Sequence, residues 1–235
     1  VGIGPSLVVL DISDPTRLTM VGQSEVLPDL VQDVVVVGSY AYVANSGKGG
    51  LRIIDINNPS APQEVSFYDT PGEAIGVTVV GSYAYVADGY RGVRIINIKN
   101  PSVPQEVGSY DTPGWANEVT IAGSYAYVAD FSDGLRVINI KNPSAPQEVG
   151  SYDTSGYAYD VAIAGNYAYV ADGSRGLRII NITTPEAPQE VSFYDTPGEA
   201  IGITIADSVA WLADNERGLQ IINVKNPSAP QEVAS

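Results

Sequence analysis

The sequence predicts an all-β fold, a β-propeller of four-stranded antiparallel blades, and three observations predict it. The phrase Gly-Ser-Tyr-Ala-Tyr-Val-Ala starts at Gly38, Gly81 and Gly123, as a variant at Gly165 and as a diverged copy at Asp207, with steps of 43, 42, 42 and 42 residues. That period is the length of a four-stranded blade. Each unit carries four short apolar or alternating runs punctuated by Gly, Pro, Asn and Asp, and no stretch shows a helical period with a cap. Successive units are nearly identical, so each must meet nearly the same surroundings. Radial blades meet that demand, because every sheet packs both faces on its neighbours and only short edges remain. A β-solenoid also stacks similar units, but its coils are usually shorter and rarely hold a Pro-bounded hairpin every ten residues.

The unit that begins near residue 74 shows each element in order. Residues Ala74 to Val80 read as a first strand between Gly72 and Gly81. Tyr83 to Ala87 read as a second, closed by Asp88-Gly89-Tyr90-Arg91-Gly92. Val93 to Ile98 read as a third, stopped by Asn100-Pro101, and Gln105 to Tyr110 as a fourth, stopped by Asp111-Thr112-Pro113-Gly114. Third strands are apolar on both sides, as in Leu177, Ile179, Ile180 and Ile182, which suits a sheet held between two others. One domain is expected over 1–235, with repeats starting near 31, 74, 116, 158 and 200. Residues 1–24 supply only a third and a fourth strand, so the chain reads as five complete blades plus an N-terminal outer half-blade. Six-bladed geometry is favoured and a five-bladed ring is the alternative. An open inner edge invites pairing, so a homo-oligomer or strand exchange that completes the blade is an expected mode of association.

Composition narrows the function. Twelve basic against 27 acidic residues give a net charge of −15, which argues against nucleic acid and anionic membrane as partners. There is no Cys and no His, so disulfides, thiolates, imidazole bases and the common zinc sites are excluded. No apolar run reaches the roughly 18 residues of a membrane helix, so no direct insertion is expected. The sequence opens at Val1 without a leader-like segment and reads as a piece of something longer.

The third strands run Leu7-Val-Val-Leu-Asp11, Leu51-Arg-Ile-Ile-Asp55, Val93-Arg-Ile-Ile-Asn97, Leu135-Arg-Val-Ile-Asn139, Leu177-Arg-Ile-Ile-Asn181 and Leu219-Gln-Ile-Ile-Asn223. This resembles the LVIVD-repeat family of surface proteins over essentially the whole chain. The resemblance implies a β-propeller and a secreted or cell-surface location, and it brings no catalytic residues. The family's Asp stands at Asp11 and Asp55 and is Asn in the other four copies, where an amide hydrogen bond serves equally well.

Residues that recur in every unit read as structural, and those that depart from the repeat are where function would lie. Of 15 tyrosines, eight lie in second strands and four end fourth strands, as core packing. The off-pattern aromatics are Tyr90, Trp115, Phe131, Tyr157 and Tyr159, all on fourth-to-first or second-to-third loops and strand starts. With Asn117 beside them they form the candidate ligand-binding set, for a protein or a glycan partner. A second departure is the aligned series Asp33, Gly76, Glu118, Asp160 and Gly202, at the first-strand start. Asp33, Glu118 and Asp160 are the candidate metal ligands, with Ca²⁺ the matching ion, although solvated charge is the plainer reading and no cofactor is otherwise expected. Arg91, Arg175 and Arg217 follow three second-strand Asp residues by three and are candidate partners for them. The expected function is a non-catalytic extracellular or cell-surface binding or scaffold module. Two alternatives stand beside it: a carboxylate glycoside hydrolase at the channel mouth using Glu118 and Asp160, and a purely structural spacer in a longer surface protein.

Overall fold

The computed structural model describes residues 1–235 apart from the side chain of residue 216. The chain is all-β and of the β-propeller class, with six antiparallel sheets, each one blade in chain order. Among the described residues the helical content is one 3-10 turn, Asn215–Arg217. Cα packing divides the chain into two compact units, Val1–Ser109 and Tyr110–Ser235.

In the first unit, blade 1 holds Gly2–Ile3, Ser6–Asp11 and Thr19–Gln23. Blade 2 holds Val31–Val37, Tyr40–Asn45, Gly50–Asp55 and Gln63–Tyr68, and blade 3 holds Gly76–Val80, Tyr83–Ala87, Val93–Asn97 and Gln105–Tyr110. In the second unit, blade 4 holds Glu118–Ala122, Tyr125–Ala129, Leu135–Asn139 and Gln147–Tyr152. Blade 5 holds Asp160–Ala164, Tyr167–Ala171, Leu177–Asn181 and Gln189–Tyr194, and blade 6 holds Gly202–Ala206, Val209–Ala213, Leu219–Asn223 and Gln231–Ala234.

The expected half-blade is corrected to a blade of three strands. Gly2 and Ile3 turn back through Gly4-Pro5 to pair with Leu7 and Ser6, so the N-terminal segment partly fills the second-strand lane. The Val1 ammonium extends this by donating to the Val8 carbonyl at 2.9 Å. The expected first strand from Ala74 begins instead at Gly76, because Ile75 already lies where the loop hydrogen-bonds to Ala87.

Local chemistry explains the repeated elements. First and second strands join through two-residue turns, with Val80 opposite Tyr83, and Gly81 sits at φ 62°, where a side chain is disfavoured. The residue ending each third strand accepts an N–H from two residues on: Asp11 from Ser13 at 2.9 Å, Asp55 from Asn57 at 2.8 Å, Asn97 from Lys99 at 3.0 Å and Asn223 from Lys225 at 2.9 Å. This turn needs an acceptor and not a charge, which is why Asp and Asn interchange there. For exposed Asp11 the Ser13 N–H holds the carboxyl below its ordinary value.

The core lies between blades. Within each unit, the trailing face of one blade meets the leading face of the next. In unit 1, Tyr42, Ala44, Leu51 and Ile53 of blade 2 meet Ala74, Val77, Ala84, Val86, Ile96 and Ile98 of blade 3. In unit 2, Tyr127, Ala129, Leu135 and Val137 of blade 4 meet Ala158, Val161, Ala168, Val170, Ile180 and Ile182 of blade 5. The same scheme joins Tyr169, Ala171, Leu177 and Ile179 to blade 6. Burying each large aliphatic side chain contributes roughly 1.5–3 kcal/mol, so these faces dominate the fold.

Fourth strands touch the next blade closely. A Cβ on Gly150 would come 2.2 Å from the Pro185 carbonyl oxygen. Ser66 and Ser192 occupy the same repeat position and solve the contact by donating their hydroxyls to Pro101 and Pro227 carbonyls. Gly150→Ala is therefore expected to destabilise by about 1–3 kcal/mol, since a methyl is forced on an oxygen. Gly150→Ser brings the same Cβ but is expected to be about 1 kcal/mol more stable than Gly150→Ala, since it gains that hydrogen bond. Urea unfolding of the two variants checks this ordering.

Candidate functional site

The second-to-third loops set the site. In blade 5 the loop Asp172–Gly176 closes with Asp172 N–H on Gly176 O at 2.8 Å, and Gly173 lies at φ 57°. Gly173 pairs with Ala200 of blade 6 through two bonds of 3.0 Å. In blade 4 the same loop position is Phe131, at φ 50°. Its backbone pairs with Ala158 of blade 5, donating at 3.1 Å and accepting at 2.9 Å. A bulky L-residue in this left-handed region is strained by roughly 1–2 kcal/mol, and the paired backbone holds it there.

The strain sets the Phe131 ring against two others. It stacks on Tyr157 with ring centres 4.4 Å apart and planes 5° from parallel, and Tyr159 meets it edge-on at 5.5 Å and 73°. Tyr157 is 50% exposed, so the platform faces solvent. Asn117 anchors its base by donating Nδ2–H to the Ala158 carbonyl at 3.1 Å. Gly173 leaves room: a Cβ there would lie 3.3 Å from Tyr159 Cε2. Burial, then the negative charge of Glu199, raises the Tyr159 hydroxyl above its ordinary value. Glu199 also lines a depression of about 430 Å³ with Pro197, Gly198, Asn215 and Arg217. The Glu199 carboxylate, whose charge reaches Tyr159, thus shares a depression with the Asn215 amide and the Arg217 guanidinium.

Asn117, Phe131, Tyr157 and Tyr159 are therefore brought together in unit 2. Trp115 is half-buried in the same unit, at the repeat position of Tyr157 on the loop before blade 4. Tyr90 belongs to unit 1 and is 75% exposed.

Two of the three candidate metal ligands, Asp33 and Asp160, act as clasps between blades. Asp33 accepts the Val34 N–H at 2.7 Å and, with its other oxygen, the Val77 N–H of blade 3 at 2.9 Å. Asp160 accepts the Val161 N–H at 2.6 Å and the Ile203 N–H of blade 6 at 2.7 Å. Glu118 accepts the Val119 N–H at 2.9 Å. Among the described residues no three acidic groups gather as a set able to hold an ion.

The second-strand Asp residues do hold turns, and the structure adds partners that sequence reasoning missed. Asp130 is fully buried, accepting Thr112 Oγ–H at 2.5 Å and Gly114 N–H at 2.9 Å. Asp214 accepts Thr196 Oγ–H at 2.7 Å and Gly198 N–H at 3.0 Å. The expected pairing of Asp88 and Asp172 with Arg91 and Arg175 is corrected: their ion partners are Arg94 and Arg178 of the third strands, at 3.4 and 3.6 Å. The loop arginines spend their backbone on the turn, whereas a third-strand Arg extends beneath the second-strand end. Its recurrence inside Leu-Arg-Ile-Ile at a buried position was the available signal. Burial, opposed by the Thr hydroxyls and the Arg charge, pushes Asp130 and Asp172 up to about 6.

Comparison with known proteins agrees with this architecture. No curated protein matches the chain. Among solved structures, a candidate 6-phosphogluconolactonase from Bacteroides uniformis superposes with a TM-score of 0.84 at 11% identity, covering 98% of this chain and 77% of that one. A functionally unknown protein from Desulfotomaculum acetoxidans superposes at 0.80 and 14% identity, covering 98% and 76%. The computationally designed protein Ika8 superposes at 0.72 and 10% identity, with 92% of this chain covered, and the chain spans 64% of its length. Identities this low speak for the fold alone. The LVIVD repeat model matches six times, over residues 1–25, 30–70, 71–112, 113–154, 155–196 and 197–235. These matches follow the blades one by one, and the chain belongs to the LVIVD-repeat family.

Proposed function

We propose that the protein is a non-catalytic binding module of a secreted or cell-surface protein, and that it takes a glycan on the Phe131–Tyr157–Tyr159 platform. One observation carries the reading. Phe131 occupies a left-handed position where blades 3 and 5 have Gly89 and Gly173, at φ 57° in both. Strain of this kind persists at sites where the strained residue serves a purpose. Here it buys a flat, solvent-facing ring pair. Sugar rings stack on such faces through their C–H bonds, and Glu199, Asn215 and Arg217 supply the hydrogen-bonding groups that hydroxyls require. The non-catalytic reading rests on the absence of His and Cys and on carboxylates committed to backbone amides.

A glycan array followed by calorimetry on the best oligosaccharide tests this. Tyr157→Ala is expected to weaken binding at least about tenfold, the loss of one stacking contact, while the circular dichroism spectrum stays unchanged. Undiminished glycan binding by folded Tyr157→Ala, or an array without any hit, would contradict the assignment.

A further inference from the structure

Blade 6 has no Arg where blades 4 and 5 have one, yet it keeps the carboxylates that the Arg serves. In blade 4, Arg136 stands 3.6 Å from Asp130 and 3.4 Å from Glu148. In blade 5, Arg178 stands 3.6 Å from Asp172 and 3.9 Å from Glu190. Strand register carries the same places into blade 6. Leu212 pairs with Gln220 as Val128 does with Arg136 and Val170 with Arg178. Ile222 pairs with Glu232 as Ile138 does with Glu148 and Ile180 with Glu190. Asp214 and Glu232 are thus the two carboxylates of this position, and an amide replaces the guanidinium. Among the described residues, the pairs of third-strand Arg with these acids occur in blades 2 to 5, and no ion pair reaches Asp214 or Glu232. Asp214 is fully buried, and Gln220 is 2% exposed with its Oε1 buried and without a hydrogen bond. Burial of an unpaired carbonyl oxygen beside an uncompensated carboxylate is destabilising in the chain alone.

We infer that blade 6 binds a calcium ion in the place of the missing guanidinium, held by Asp214, Gln220 Oε1 and Glu232, with water completing its shell. The donors are two carboxylates and an amide carbonyl, the oxygen set that a hard cation takes. Asp214 accepts Thr196 Oγ–H at 2.7 Å and Gly198 N–H at 3.0 Å, one on each oxygen, and each oxygen has a further lone pair to offer. Glu232 accepts the Tyr194 hydroxyl at 2.6 Å on one oxygen and has the other for the ion. Two negative charges attract a divalent ion more strongly than a monovalent one. The donors come from the end of the second strand, from the third and from the fourth, and calcium tolerates such irregular coordination where magnesium demands a near-ideal octahedron. The depression lined by Gly198, Asn215 and Arg217 gives a way in, since the Gly198 N–H rests on Asp214. The ion site does not depend on glycan binding at Phe131.

Calorimetric titration of the full chain, stripped with EDTA, with calcium chloride tests this. One calcium per chain is expected, with magnesium chloride at least about tenfold weaker. Calcium is also expected to raise the thermal midpoint, because it binds the folded state. Gln220→Arg returns the guanidinium to its place and is expected to abolish both responses in a folded protein. Glu232→Gln, a change at an exposed residue, is expected to weaken calcium binding about tenfold. No binding at millimolar calcium would overturn the inference. So would equal affinity for magnesium, or calcium binding by Gln220→Arg as strong as the parent's, which would place the ion elsewhere on the acidic surface.

Discussion

Replacing Arg136 by leucine is expected to lower stability by about 3–5 kcal/mol at neutral pH, the cost of stripping a buried ion of its partner. Arg136 stands 3.6 Å from Asp130, 2.9 Å from Asp133 and 3.4 Å from Glu148, with its side chain 15% exposed. Leucine keeps the stem's apolar contacts but leaves Asp130 without a cation, in a place water does not reach. Asp130→Asn in the same background is expected to recover part of the loss, because Asn45 fills this repeat position in blade 2 and is itself fully buried. Blade 6 supplies the converse experiment. It has Gln220 where blades 2 to 5 have Arg, and the Gln220 Oε1 is buried without a hydrogen bond. Gln220→Arg is expected to add about 1 kcal/mol by restoring the pair with Asp214. Urea unfolding at one pH measures all of these.

Stability is expected to fall as pH rises from about 4 to about 7. Asp130 and Asp172 titrate near 6 in the folded protein, against about 3.9 for an unfolded Asp. Between those values the folded state binds more protons than the unfolded state, so each step up in pH favours unfolding. The benefit is whole below the unfolded value and gone once pH has passed the folded one. Each group contributes roughly 2–3 kcal/mol across the window. Exposed Asp11 and Asp14, held below their ordinary values by hydrogen bonds from Ser13 and Thr16, act in the opposite direction below pH 4. Urea midpoints at pH 5 and pH 7.5 should therefore rank the acidic sample higher. Asp130→Asn with Asp172→Asn should flatten the difference.

The repeat made most of the fold legible, because a 42-residue period with four Pro- and Gly-bounded runs admits few architectures. Blade 1 was legible only in part. Gly2 and Ile3 carry no strand pattern, and their pairing with Leu7 and Ser6 depends on a tight Gly4-Pro5 turn. The Asp/Asn alternation at third-strand ends was correctly a matter of hydrogen bonding. The carboxylates Asp33 and Asp160 were legible as departures from the repeat but not as clasps, since a backbone N–H on the neighbouring blade leaves no trace in sequence. Likewise the arginines of Leu-Arg-Ile-Ile look like solvent-facing charges until the second strand places Asp88, Asp130 or Asp172 beside them. The platform residues stood out because the repeat around them is so regular. What their identities did not carry was the left-handed backbone at Phe131, which only the alignment with Gly89 and Gly173 suggests.

On the proposed function Phe131 is kept for recognition and not for folding, and urea unfolding of Phe131→Gly is the decisive measurement. Glycine removes the strain at φ 50° and also removes the ring contacts with Tyr157 and Tyr159. These opposing effects are each about 1–2 kcal/mol, so the account predicts stability within about 1 kcal/mol of the parent together with lost glycan binding. A loss above about 2 kcal/mol with glycan binding intact would contradict it.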